Sequence, residues 1–281
     1  MNNKTDLTYT GWKKWKPTID EWARFSVEPY CPFELKRNEY LLVYDEEEGR
    51  EKLVGQYCWD GEHLKKFGRS SIKLNKDNHI NPRNDEQVCA FNLMKNDEIT
   101  IKLLTGTWGC GKTLILVTAA LEALRANKFD KIVWIRNNID VKDTKDLGAL
   151  PGDVIEKLLP FLGPFIDHAG KKEVIQMLEK EQLVIEPLQS LRGRNLANTL
   201  IMCSEAENLT KEHLQLIIAR AAEGSHVWLD ADNRQRDKAV FEKSRGVETL
   251  IERLAGDELF GYIHLMQSER SKTARLADKL N

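Results

Sequence analysis

The chain has no run of 18 apolar residues, and its first stretch, MNNKTDLTYTGWKKWK, lacks an apolar core of the secretory type. Neither a membrane span nor a signal peptide is therefore expected, and a cytoplasmic location is. Cysteine is sparse. The five residues, at 31, 58, 89, 110 and 203, are too scattered for a zinc pattern and suit packing roles in a reducing compartment. The six histidines, at 63, 79, 168, 213, 226 and 264, form no local metal motif. Neither sign of charge is in excess: 42 basic residues stand against 44 acidic ones. Binding to nucleic acid would therefore have to come from local patches. Internal repeats are absent, as is low complexity beyond the acidic run DEEE ending at residue 48, which suits a solvated loop tip.

At 281 residues the chain can form a large domain with a smaller appendage. Residues 1–28, an N-terminal extension, show no clear period. In them Trp12, Trp15 and Trp22 alternate with Lys13, Lys14 and Lys16, a pattern that fits either nucleic-acid contact or docking of the aromatics on the larger domain. Residues 29–79 predict a small β-meander: two β-rich runs around a charged turn ending in Gly49, then a short run after Asp60-Gly61. From residue 80 to 281, β-branched runs alternate with helical stretches. Candidate strands are 99–105, 131–136, 183–188, 199–205, 226–230 and 262–266, with helices such as KTLILVTAALEALRAN and KEHLQLIIARAA between them. Nearly continuous apolar strands in this alternation predict an α/β domain, a doubly wound parallel sheet with helices on both faces.

GTWGCGKT, at 106–113, fulfils the phosphate-loop pattern G-x-x-x-x-G-K-[ST] in full. A predicted strand runs into it and a strong helix former runs out, the context this chemistry requires. Gly106, Gly109 and Gly111 let the backbone turn its N–H groups toward phosphate oxygens, and the following helix adds partial positive charge. Residues Gly106, Thr107, Trp108, Gly109, Cys110, Gly111, Lys112, Thr113 and Leu114 are thus expected to wrap a nucleoside triphosphate. Lys112 would reach the β- and γ-phosphates and Thr113 would ligate Mg²⁺. Upstream, Asn84 can cap a helix whose third residue is Gln87. That amide could reach back to the cap or face an adenine edge.

Ligands of an open parallel sheet sit beyond the carboxyl ends of its strands. Those ends carry Ser204-Glu205-Ala206-Glu207 and Asp230-Ala231-Asp232-Asn233-Arg234-Gln235. A Glu and two Asp at two strand ends could hold Mg²⁺ through water and polarise an attacking water.

The segments DLGALPGDVIEKLLPFLGPFIDH, IEPLQSLRGRNL, SEAENLT and DADNRQRD resemble the PhoH family of P-loop ATPases, from about residue 80 to the end. The resemblance implies ATP binding and hydrolysis, a core related to superfamily 1 helicases, ring-like oligomers and a role in RNA metabolism. It makes Gln87 the adenine reader, Glu205 the catalytic glutamate, and Asp232 with Gln235 a sensor pair near the γ-phosphate; Arg270 matches a family arginine. Residues before 80 resemble the β segment that precedes the ATPase in fusions with a PIN nuclease. The stretch ahead of that segment is too short for a PIN domain, so no nuclease activity is expected.

Two strand ends depart from the family pattern, with Ser204-Glu205-Ala206-Glu207 for Asp-Glu-Ala-Gln and Asp230-Ala231-Asp232 for Thr-Gly-Asp. Ser204 replaces the Asp of the first, and Asp230 the Thr of the second. Either the metal-shell carboxylate has moved one strand over, to Asp230, or the chain binds ATP and hydrolyses it poorly. A single core also leaves the γ-phosphate open on one side. Arg192 and Arg194, in the loop SLRGRNL, could complete the site of a neighbour in a homo-oligomeric ring, bind nucleic-acid phosphate, or pair with surface acids. The leading expectation is a Mg²⁺-dependent ATPase coupled to RNA or single-stranded nucleic acid. The alternative is an ATP-controlled interaction module with little hydrolysis, and a small-molecule kinase ranks behind both.

Overall fold

A computed structural model describes residues 9–47, 49–74, 78–136, 155–156, 158–232 and 245–269. Its main sheet holds β7 (Ile101–Gly106), β8 (Lys131–Arg136), β9 (Leu183–Pro187), β10 (Thr199–Cys203), β11 (His226–Ala231) and β12 (Phe260–Leu265), in the spatial order β12-β7-β11-β10-β8-β9. Every pairing is parallel. Each of the six predicted strands forms, because each is apolar on both faces and therefore stable only when covered twice. Leu104, Ile132, Trp134, Met202, Trp228 and Ile263 pack on one side with α2 (Asp85–Lys95), α3 (Lys112–Arg125), α4 (Gly163–Ala169) and α5 (Lys171–Glu179). Leu103, Val133, Ile135, Ile201, Leu229 and Tyr262 pack on the other with α6 (Lys211–Ile218) and α7 (Gly246–Leu254). The period-2 alternation along each strand thus divides one sheet between two hydrophobic layers.

The predicted meander is present as antiparallel β2 (Tyr40–Glu47), β3 (Arg50–Trp59) and β4 (Leu64–Lys66), followed by an antiparallel pair of short strands, β5 (Ile72–Lys73) and β6 (His79–Ile80). Gly49 turns the first hairpin with φ 73°. The Asp60 carboxylate accepts the main-chain N–H groups of Glu62 and His63 at the second turn. The N-terminal stretch, which shows no clear period in sequence, has regular structure. It forms β1 (Trp12–Trp15), parallel to β2, and α1 (Ile19–Val27), held by a capping box of Thr18 and Glu21. Trp15 and Phe25 share a small core with Leu35, Leu41, Val43 and Tyr57, so an edge at residue 28 cuts through a single packed layer. Period analysis misses β1 because four residues are too few to display one. The lysines around these tryptophans are engaged locally: Lys14 and Lys16 both pair with Glu51, and Lys13 donates to the Glu34 carbonyl. Docking, the second of the two expectations for this segment, is what the geometry supports.

The small sheet and the main domain are tightly joined. On β2, Leu41 and Val43 face the small core while Tyr40 and Leu42 enter the main one, and the Tyr40 hydroxyl donates to Asn92 at 3.0 Å. The segment entering β1 also lies along β12. The His264 N–H donates to the Thr10 carbonyl, and the Trp12 indole N–H to the His264 carbonyl, each at 2.9 Å. A Cβ at Gly11 would stand 1.7 Å from the Tyr262 carbonyl oxygen, so that approach requires glycine. Asn38 closes the junction, with φ 66° and its amide nitrogen within 3.0–3.1 Å of the carbonyls of Asp257, Glu258 and Phe260. Asn38→Ala removes that donor from a buried site and leaves a residue poorly suited to the left-handed region. Unfolding in urea should show a loss of about 1–3 kcal/mol.

Candidate nucleotide site

The phosphate loop begins where β7 ends and closes where α3 starts. Gly106, Gly109 and Gly111 adopt φ of 150°, 72° and 92°, conformations that L side chains rarely take. Gly106 also has no room, since a Cβ there would lie 2.2 Å from the Leu265 carbonyl oxygen and 2.8 Å from Cys110 Sγ. The Lys112 ammonium donates to the carbonyls of Gly106 at 2.7 Å and Thr107 at 3.1 Å, and lies 3.9 Å from Asp232 Oδ2.

Strand order brings the acids to this loop. β11, carrying Asp230, pairs with β7 on one side and with β10, which leads to Ser204 and Glu205, on the other. Asp230 is buried. Its Oδ1 accepts the Glu205 N–H at 3.1 Å, while its Oδ2 is buried with no hydrogen bond of ordinary geometry in the structure. Burial pushes its carboxyl up to about 6, opposed by the Lys112 charge and by the neighbouring Glu205 N–H and Thr113 hydroxyl. Glu205 is exposed and left-handed, at φ 59° and ψ 40°, a strained backbone for a residue with a side chain and of the sort that clusters at functional sites. Ser204 is buried. Lys112, Thr113, Glu205, Asp230 and Asp232 therefore converge from β7, β10 and β11. This donor set fits a triphosphate with Mg²⁺: hard hydroxyl and carboxylate oxygens, one of them a buried oxygen in need of a partner, beside a glycine loop and an amine.

Three features escaped sequence reasoning. Glu207, at the position of the family's Gln, is buried and accepts the Asp232 N–H at 2.9 Å. Burial, with the charges of Asp230 and Asp232, pushes it up to about 8. The only signal was a carboxylate standing where the family pattern has a neutral amide. Glu86 accepts the N–H groups of Met266 and Gln267, at 2.6 and 3.1 Å, and so ties down the segment after β12. That segment carries Glu269, whose N–H donates to the Gly109 carbonyl at 2.8 Å and whose carboxylate accepts from Asn84 at 2.7 Å. Neither contact has a local sequence pattern.

Of the two uses weighed for Gln87, the structure draws a third. The Asn84 side chain caps α2 by accepting the Gln87 N–H at 2.9 Å, but the Gln87 amide passes the cap. Its Oε1 accepts the Arg83 N–H at 2.8 Å and its Nε2 donates to the Cys110 carbonyl at 2.9 Å. Arg192 and Arg194 follow β9, four interstrand steps from β7, roughly 19 Å at ordinary spacing. Arg192 is exposed, and Arg194 is paired with Glu186. Gln235 and Arg270 lie outside the described residues, as do Arg234, Arg236, Lys238 and the LPGD segment. A larger cavity of about 610 Å³, lined by Arg37, Asp60, Glu98 and Glu258 among others, lies between the small sheet and the main domain, away from the loop.

Residues 79–278 match the family model described as PhoH-like protein. The chain belongs to the PhoH family. Its similarity to PhoH2 of Bacillus subtilis is 30% identity over 257 residues, covering 86% of this chain and 56% of that protein. PhoH2 of Mycolicibacterium smegmatis is 31% identical over 202 residues, 70% of this chain and 46% of that one. PhoH of Escherichia coli K12 is 29% identical over 198 residues, 68% and 54%. The chain thus spans about half the length of these curated PhoH relatives. Among solved structures, Pif1 helicase from Candida albicans aligns with a TM-score of 0.37 and 15% identity over 70% of this chain and 43% of that one. Among the described residues no helix is long and apolar enough to cross a membrane.

Glu207 provides a pH test. Its folded value lies above the ordinary 4.5, so the folded state binds the proton more tightly. The stability this confers is complete at low pH and is lost as pH rises from about 4.5 through about 8. Glu207→Gln keeps an acceptor for Asp232 and cannot ionise. Thermal unfolding from about pH 5 to about pH 8 should show a larger fall in Tm for the wild type than for the variant.

Proposed function

We propose that the chain hydrolyses ATP with Mg²⁺, coupled to RNA or single-stranded nucleic acid, and that it acts as a homo-oligomer. The observation that carries this is the convergence of Lys112, Thr113, Glu205, Asp230 and Asp232 on one glycine loop, in a chain of the PhoH family. The loop amides and Lys112 bind the β- and γ-phosphates. Thr113 and Asp230 would hold the Mg²⁺, Asp230 through water. When bound, Mg²⁺ neutralises charge that builds on the phosphate oxygens as the terminal bond breaks. Glu205, exposed and fixed through its N–H by Asp230, orients a water whose oxygen attacks the γ-phosphorus as the bond to the ADP oxygen opens. Glu205 takes the water's proton and returns it to solvent. Asp232, beside Lys112, senses the γ-phosphate.

Arg192 supports the oligomer. It follows β9, four interstrand steps from the strand that leads into the phosphate loop, and is exposed, so it could serve the open side of a neighbour's site or a nucleic-acid phosphate. Coupling to nucleic acid rests on fewer unengaged cations than composition suggests, because Lys65 pairs with Asp60, Arg69 with Asp85 and Arg194 with Glu186. A second reading, nucleotide-dependent control with little turnover, is favoured by Ser204, buried where the family pattern has a carboxylate.

Phosphate release from ATP should require Mg²⁺, rise with added RNA, and be lost in Lys112→Ala and Glu205→Gln. Asp230→Thr should lower it by about 10 to 100 fold, and Ser204→Asp added to that variant should restore part. Wild-type turnover in Asp230→Thr would end the relocated-carboxylate reading. Tight ATP binding without phosphate release would favour the control module. In light scattering, full activity from a monomer would remove the arginine supplied by a neighbour.

A further inference from the structure

A cavity of about 460 Å³ opens beside the phosphate loop, between the segment His79–Arg83 and the loop glycines Gly109 and Gly111. Its size suits a nucleotide base. Ile80, Pro82, Phe91 and Leu114 supply apolar wall. Gln87 also lines it, but both ends of its amide are engaged with main chain, at Arg83 and at Cys110. That makes it a brace between the start of α2 and the loop.

Of the other polar side chains that line the cavity, His79, Asn81 and Arg83 are exposed, whereas Glu269 is half-buried and is held from three directions. Its N–H is on the Gly109 carbonyl at 2.8 Å, its own carbonyl accepts from Arg83 Nη1 at 3.4 Å, and its Oε1 accepts from Asn84 Nδ2 at 2.7 Å. The backbone is thus fixed to the phosphate loop itself, and the carboxylate is oriented by the helix cap. A carboxylate only accepts hydrogen bonds. The base it suits is one that presents an exocyclic amino group, as adenine does.

We propose that Glu269 is the base-selecting residue, accepting a hydrogen bond from the exocyclic amino group of adenine, and that Gln87 is a positioning residue that sets the loop. This deepens the ATP reading above and rests on it. A fixed acceptor is the more selective arrangement, because a ligand without the donor leaves it desolvated and unpaired.

The test uses ATP and the triphosphate of purine riboside, which has hydrogen in place of the amino group. Calorimetric affinities are measured with Mg²⁺ on the full chain. The wild type should prefer ATP by roughly ten- to a hundredfold. Glu269→Ala should bring the ratio close to one. Glu269→Gln, which keeps the shape and one weaker acceptor, should fall between and serves if the alanine variant does not fold. Gln87→Ala should weaken both nucleotides alike and leave the ratio intact. An unchanged ratio in the Glu269 variants, a ratio that collapses in Gln87→Ala instead, or a wild type with no preference would overturn the inference while leaving the ATPase reading standing. A wild type that binds neither nucleotide would overturn the proposed function as well.

Discussion

The site is organised around a close approach between two pieces of main chain. Where β7 ends, the Gly106 backbone lies so near the Leu265 carbonyl that no side chain fits between them. β12 is paired with β7 up to this point, so the end of β12 is joined directly to the start of the phosphate loop. The segment after β12 then turns back over the loop, held by Glu86 and by the Glu269 N–H on Gly109. Gln87 adds a second tie from α2 to Cys110. A loop rich in glycine is costly to order, and these ties from β12 and α2 offset part of that cost before a ligand arrives.

The acids around the loop follow a second constraint. Asp230, Asp232 and Glu207 are all buried, and the Lys112 ammonium lies 3.9 Å from Asp232. Burial raises both Asp230 and Glu207 above the ordinary carboxylate range, helped by the Glu205 charge at the first and by the charges of Asp230 and Asp232 at the second. Buried carboxylates crowded this way favour whatever brings positive charge, whether a proton or a divalent cation. Glu207 is set back, bonded to the Asp232 N–H, and suits the proton. Asp230, beside Thr113 and with an unpartnered oxygen, suits the cation.

The six strands of the main sheet were legible because a parallel strand covered on both faces must be apolar along its length, whatever surrounds it. The phosphate loop was legible because its chemistry demands glycine and lysine at fixed spacing. What could not be read depends on groups far apart in sequence. Glu86 meets Met266 across 180 positions, and nothing in either neighbourhood marks the other. The indole of Trp12 finds the His264 carbonyl across 252, so the alternation of tryptophan and lysine left two uses open until the partner was known. Gln87 was weighed between two roles visible from its own helix. Its actual partners include a carbonyl in the loop, which local sequence does not bring near.

The chain entering β1 touches both sheets at once. Thr10 and Trp12 lie on β12, while Trp12–Trp15 run beside β2. From His264 the path continues through the Thr105 hydroxyl, 2.7 Å away, to the residue just before Gly106. Two contacts thus separate the small sheet from the nucleotide loop. A body that grips the small sheet holds a short lever whose other arm rests on the turn that cradles phosphate, and load could pass along it in either direction.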